Sequence, residues 1–186
     1  LLLASGELNA EDTDRVIATL SSLKHLSRMG QSLNLLTKID NREFKKIDQV
    51  NFSQKLCQAL ENFRELMDLK SISLDTQHQD DVMVSMDPTL TTVLINNLLS
   101  NAIRHNHEHG SIKTFLDHQG FSISNTGAAP AVDPSTLFDR FRKDRQKSEG
   151  LGLGLAIVKK ICDYSGFLVD YVYQDQEHKL RIAFNR

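Results

Sequence analysis

The sequence predicts an α+β fold: a two-layer sandwich, helices over one face of a mixed sheet, preceded by one long helix. Three observations lead there. Apolar residues recur at three- and four-residue steps through residues 11–39, with no strand-like alternation. After Ile39, short alternating runs interleave with amphipathic stretches of helical length. The 186 residues, 40% hydrophobic and 25% charged, allow one well-buried domain with an appendage but not two ordinary domains.

The elements follow in order. Val16, Leu20, Leu23, Leu26, Leu33 and Leu36 form the stripe of the long helix, with one longer gap across 27–31. Leu1 to Ala4 reads as the tail of another helix and Ser5-Gly6-Glu7 as its end, so the pair reads as a helical hairpin lacking most of its first arm. Asp40-Asn41-Arg42 reads as a linker. Residues 44–52 suit a strand, and 53–68 a helix with Leu56, Leu60, Phe63 and Met67 on one face. Strands are expected at 72–76 and 82–86. Asp87-Pro88 is a helix start, a capping carboxylate before a proline at the first helical position, and that helix should run to about His105. Residues 112–116 and 121–124 read as a strand hairpin, 125–150 as irregular with a short helix near 134–138, 153–164 as a helix, and 167–173 and 180–184 as closing strands.

Composition excludes some functions. A formal net charge of −2 leaves no footprint for nucleic acid or an anionic membrane. No apolar run approaches the ~20 residues a membrane helix needs, and no signal peptide is visible. Cys57 and Cys162 lack metal-ligand spacing and read as two buried thiols in a reducing compartment. The chain opens at Leu1 inside an apolar segment, which reads as a piece of something longer.

The strongest chemical signal is Gly150-Leu151-Gly152-Leu153-Gly154-Leu155, running into Ala156-Ile157-Val158. Glycines let backbone approach phosphate oxygens, and the following helix supplies unpaired N–H groups and a positive dipole end. A hinge or a tight packing joint would use the same residues. The second signal is Asn97 and Asn101, four residues apart and so on one helix face, with Leu98, Leu99 and Ala102 turned to the sheet. Two carboxamide oxygens one turn apart can ligate a magnesium ion that also holds phosphates. Arg104 could reach an anionic oxygen. Taken singly, each of these residues is better explained as part of a solvated polar face.

Taken together, these segments resemble a known family. Asn97-Leu98-Leu99-Ser100-Asn101-Ala102 resembles the N box of sensor histidine kinases, Leu137-Phe138-Asp139-Arg140-Phe141 their F box, and residues 150–157 their second glycine box, in matching order and spacing. The resemblance implies an ATP-binding catalytic domain over residues 41–186. It implies that residues 1–40 are the C-terminal part of the dimerisation and phosphoacceptor hairpin. On this resemblance, Asn97 and Asn101 hold magnesium and triphosphate and Arg104 lies near the γ-phosphate. His105 sits beside the nucleotide where the family often has an aromatic residue. Phe138 and Phe141 anchor a lid, from which Arg142, Lys143 and Arg145 close over phosphates cradled by Gly150, Gly152 and Gly154, with Leu155 following. The implied activity is phosphoryl transfer from ATP to a histidine, for relay to an aspartate on a cognate response regulator. The implied parent is a homodimer, membrane-bound through segments outside this chain, with this part in the cytoplasm.

Two features depart from the family pattern. In the first glycine box, Ser124-Asn125-Thr126-Gly127-Ala128-Ala129 has Asn125 where the family has an adenine-reading aspartate, and Ala129 where it has a second glycine. An amide oxygen can accept the same bond without charge assistance. Because an amide can flip, Asn125 is expected to read the base less stringently. The phosphoacceptor motif is also absent. His25 lacks the acidic neighbour and the Arg-Thr-Pro context and reads as an exposed structural histidine. His105, His107, Glu108 and His109 suggest a metal site less well than a solvated turn, and Asp80-Asp81 reads as a turn. Two rival functions remain. An ATPase of the gyrase or mismatch-repair type would place a glutamate at position 97 to activate water, which Asn97 cannot do. A nucleotide-binding module without catalysis would fit a weakened Asn125 site.

Overall fold

The computed structural model describes residues 10–44, 47–131, 133, 136–139 and 152–184. Helix α1 (Ala10–Asp40) runs without interruption through the gap in its stripe. Its last turns bury Leu36 and Ile39, while Ile17, Leu20, Leu23, Leu26 and Leu33 remain exposed. His25 is half-buried on this helix rather than exposed.

Strand β1 (Asp48–Asn51) is shorter than the expected 44–52 run. Asn51 ends it by capping α2 (Phe52–Leu69), its side chain accepting from the Gln54 amide at 2.9 Å. Phe52 therefore enters the core as a helical residue, 5.5 Å from Phe121 and 5.3 Å from Phe184 between ring centres. Strands β2 (Ser73–His78) and β3 (Met83–Met86) follow. β1 pairs antiparallel with β3 in a separate two-stranded sheet, which alternation alone could not foretell.

Helix α3 (Pro88–Arg104) begins as the sequence predicts: an Asp87 carboxylate oxygen accepts from the amides of Thr89 at 2.7 Å and Leu90 at 3.2 Å. It buries Leu90, Leu94, Ile95, Leu98, Leu99, Ala102 and Ile103. Each large side chain contributes roughly 1.5–3 kcal/mol, and this stripe fixes the rotation of the helix about its axis. The main sheet takes β4 (Ser111–Asp117), β5 (Gly120–Thr126), β6 (Leu168–Gln174) and β7 (Glu177–Ala183) in the order β2-β4-β5-β7-β6. Only the β2–β4 pair is parallel among these five strands. Ile112, Leu116, Phe121, Ile123, Leu180 and Ile182 turn to the buried face.

Helix α4 (Gly154–Ser165) packs on α3 and on the end of α1. Gly166, at φ 74°, closes it in the left-handed conformation that favours glycine. Lys160 pairs with Asp40 at 2.5 Å and the Tyr164 hydroxyl donates to the Phe44 carbonyl, so α1 is tied to the domain where the linker begins. Cys162 is buried and its thiol is pushed up to about 12 by desolvation. Cys57 is exposed, which corrects the expectation of two buried thiols: it follows Leu56 on the outward side of α2.

Candidate functional site

The apolar stripe of α3 leaves Asn97 and Asn101 half-buried beside the core. Asn97 donates from Nδ2 to the Val93 carbonyl at 2.8 Å. That bond orients the amide, since a carbonyl can only accept, and turns Oδ1 toward the start of α4. A β-carbon placed on Gly154 would lie 3.3 Å from Asn97 Oδ1, so this glycine lets backbone approach the amide oxygen closely. Gly152 sits at φ 67°, in the region a side chain rarely adopts. No side chain caps α4 at Leu153, and its first-turn amides have no intrahelical acceptor. A helix start that its own N-cap residue leaves open, a close glycine and an oriented amide oxygen together suit phosphate with a hard divalent cation. Leu155 is half-buried and packs against the core.

Arg104 ends α3, exposed, with a guanidinium N–H 3.3 Å from the Ser100 hydroxyl. Desolvation, and then the like charge of Arg28 on α1, lower its pKa. Arg28 is a residue the sequence reading missed, because helix periodicity does not say which turn of α1 faces α3. His105 caps α3, its amide bonding the Asn101 carbonyl at 3.0 Å, and its ring lies 6.5 Å from that of His178.

The other end of the site rests on β5. Asn125 is buried, at 5% exposure, and lines a narrow cleft with Asn101, Ile123, Tyr171 and His178. Its Nδ2 donates to the Thr126 carbonyl at 2.8 Å. Flipping the amide would set oxygen against oxygen, so Oδ1 is the atom left to face the cleft, and the expected freedom to flip is corrected. Thr126 is itself fixed, donating to Asn106 Oδ1 at 2.6 Å and accepting from the Ser111 amide at 2.9 Å. Gly127 is held by its amide on the Gln176 carbonyl and by the Tyr173 hydroxyl on its own carbonyl, both 3.1 Å.

His178, Tyr171 and Tyr173 gave no signal in the sequence. They are inward positions of β6 and β7, and register alone brings His178 opposite Asn125 and Tyr173 opposite His178. Burial lowers the pKa of His178, and burial together with Tyr173 pushes the Tyr171 phenol up to about 12. Phe138 packs half-buried against the core, beside Asp139 whose amide bonds the Thr136 carbonyl. Phe141, Arg142, Lys143, Arg145 and Gly150 lie outside the described residues. His107, Glu108 and His109 stand exposed in a turn, with His109 at φ 59°.

Comparison with known families meets this geometry. Residues 86–182 match the family model described as histidine kinase-, DNA gyrase B-, and HSP90-like ATPase, and the chain belongs to that family. Among its relatives it stands with the sensor histidine kinases. It is 28% identical over 182 residues to sensor histidine kinase HprS of Escherichia coli K12, covering 94% of this chain and 40% of that protein. It is 32% identical over 177 residues to the probable sensor kinase SilS of Salmonella typhimurium, covering 88% and 35%. The chain thus spans about two-fifths or less of these relatives' length. The fold is that of the histidine kinase AdeS of Acinetobacter baumannii, with a TM-score of 0.70 at 18% identity over 99% of this chain and 88% of that one. It is likewise that of the catalytic domain of histidine kinase ThkA, with a TM-score of 0.67 at 23% identity over 75% and 95%. The chain is therefore an ATPase-type catalytic domain of the kind found in sensor histidine kinases. Among the described residues no helix is long and apolar enough to cross a membrane.

Proposed function

We propose that this chain binds ATP with Mg²⁺ and transfers the γ-phosphoryl group to a histidine on a dimerisation hairpin, for relay to the aspartate of a response regulator. The observation that carries the reading is the approach of Asn97 Oδ1 to the Gly154 backbone, one helical turn from Asn101, which lines a narrow cleft with the oriented amide of Asn125. Asn97 and Asn101 would hold the metal, which when bound neutralises charge on the phosphates. The α4 amides with Gly152 and Gly154 would take phosphate oxygens, and a γ-phosphate between Arg104 and Arg28 would relieve the repulsion of those two cations. Asn125 would accept from the adenine amino group. Phe138 would anchor a lid that includes Phe141, Arg142 and Lys143.

Catalysis in this scheme is positioning and charge stabilisation rather than proton abstraction. An amide at position 97 cannot deprotonate water, which disfavours ATP hydrolysis as the main reaction. Residues 1–40 would belong to the hairpin and residues 41–186 to the catalytic domain, in a cytoplasmic portion of a homodimeric sensor whose membrane contact lies elsewhere. The exposed leucines of α1 would face the other helices of that bundle.

Incubation with γ-labelled ATP and Mg²⁺ tests this reading. The chain alone should take no acid-labile, base-stable label. With a family hairpin carrying the acceptor histidine added in trans, such label should appear on the hairpin. Label released only as free phosphate would establish an ATPase instead, and label on this chain that vanishes in His25→Ala would make His25 the acceptor.

A further inference from the structure

We propose that a second cavity, at the opposite end of α3 and α4 from the nucleotide site, binds a small organic ammonium ion. The Asp87 carboxylate takes the charge, and aromatic rings cover the hydrocarbon body. Nothing in this site depends on the ATP reading above.

The cavity measures about 500 Å³, within the range of small-molecule sites. Its wall is built from the β1–β3 sheet, the end of α4 and the residues that flank β6 and β7. Asp87 stands at the start of α3, and Asn97 lies roughly 15 Å further along that helix. Tyr164 lines the cavity from the end of α4 remote from Gly154. Its hydroxyl donates to the Phe44 carbonyl, so the cavity adjoins the linker that follows α1.

Asp87 makes this cavity more than a gap between elements. It is 8% exposed, and that remaining exposure belongs to a residue of the cavity wall. Oδ1 is spent on the amides of Thr89 and Leu90. Oδ2 accepts from no group among the described residues, yet it is not sealed inside the core, so it opens to the cavity. A carboxylate oxygen held among apolar groups without a partner favours a cation that brings its own N–H donors.

The walls select the kind of cation. Met86, Phe167 and Phe184 supply apolar surface, the two phenyl rings 5.1 Å apart between centres and tilted by 54°. Tyr164 adds a third ring. Aromatic faces attract cations and cover hydrocarbon. A hard metal ion would need several oxygen ligands, and Asp87 is the one carboxylate in the lining among the described residues. No described lysine or arginine lines the cavity to receive an anion. An ammonium group on a compact hydrocarbon meets both the carboxylate and the rings.

NMR titration of the full chain with benzylammonium, benzyl alcohol and benzoate tests the proposal, in the wild type and in Asp87→Asn. Asparagine caps a helix as well as aspartate does, so α3 should keep its start. Benzylammonium should bind the wild type about tenfold more tightly than benzyl alcohol, the usual gain from a charge-assisted bond, with benzoate weakest. It should shift the amides of Ser85 and Phe167, which line the cavity. Asp87→Asn should bind the ammonium and the alcohol alike. A wild type without preference for the ammonium, a variant that keeps the preference, or shifts confined to residues outside the cavity overturns the proposal. So does displacement of benzylammonium by Mg²⁺, which would make this a metal site. Affinity that falls as protein concentration rises is also contrary, because a side chain of a second copy would then be the occupant. If Asp87→Asn fails to fold, Ser85→Lys decides. It places an ammonium in the wall from an exposed strand position and should abolish benzylammonium binding, whereas unchanged binding counts against the site.

Discussion

The proposed phosphate end and the proposed base end of the site are built differently. At the phosphate end, Asn97, Asn101, Gly152 and Gly154 come from a helix face and a glycine-rich run, and Leu153, at the helix start that would receive the phosphates, supplies no side-chain cap. At the base end, Asn125, His178, Tyr171 and Tyr173 come from three strands and are tied to one another and to the Thr126 and Gly127 carbonyls. One end is left open to charge, and the other is held by side-chain hydrogen bonds. The difference teaches that strength of binding and its dependence on metal should reside at the phosphate end, and choice of base at the other.

The largest expected effect breaks the phosphate end. Asn101→Ala should weaken Mg·ATP binding by about 2 kcal/mol, roughly 30-fold, by removing a proposed metal ligand, and should leave the ATP-to-GTP ratio unchanged. Calorimetry on both nucleotides checks it, and a changed ratio would show that the two ends are not separable.

Asn125→Asp probes the other end with a mixed outcome. The carboxylate gains as an acceptor toward an amino group, yet it loses the bond to the Thr126 carbonyl and sets an anion against that oxygen. The apo protein should lose about 1–3 kcal/mol of stability, visible in denaturant unfolding, while ATP affinity rises by about 1 kcal/mol at most. An unchanged unfolding midpoint would mean that Thr126 does not orient Asn125.

How much of this the sequence showed follows the same division. The i, i+4 amides and the glycine run are local patterns, so residue order alone carried them. The pairing of Asn125 with His178 joins positions far apart in the chain, and it depends on the register of β5 with β7, which alternation predicts only up to slippage. Nothing local distinguishes His178 from a surface histidine. The same blindness hid the separate β1–β3 sheet and the approach of Arg28 to Arg104, both set by packing between distant elements.

A smaller effect sharpens the base end. Tyr173→Phe removes the hydroxyl on the Gly127 carbonyl at 3.1 Å, and should cost about 0.5–1.5 kcal/mol of stability without altering magnesium dependence. Thermal unfolding and a magnesium titration together check it.

The smallest is a pH effect. Burial lowers the pKa of His178 below 6.5, against a weak opposing pull from the Ala128 carbonyl, with Tyr171, Tyr173 and His105 around the ring. The unfolded chain therefore takes up the proton first, so stability is full above about pH 6.5 and falls as pH drops toward the folded value. Part of the loss of melting temperature between pH 7 and pH 5 should disappear in His178→Phe. An identical pH slope in the variant would place the titration elsewhere.

The most direct test of the division is one pair of calorimetric titrations on the full chain, adenosine and ATP, each with and without Mg²⁺. Adenosine should bind weakly and identically in both conditions, because the base end needs no metal, while ATP should bind far more tightly with Mg²⁺ than without. ATP affinity indifferent to Mg²⁺, or adenosine affinity that rises with it, would contradict the account.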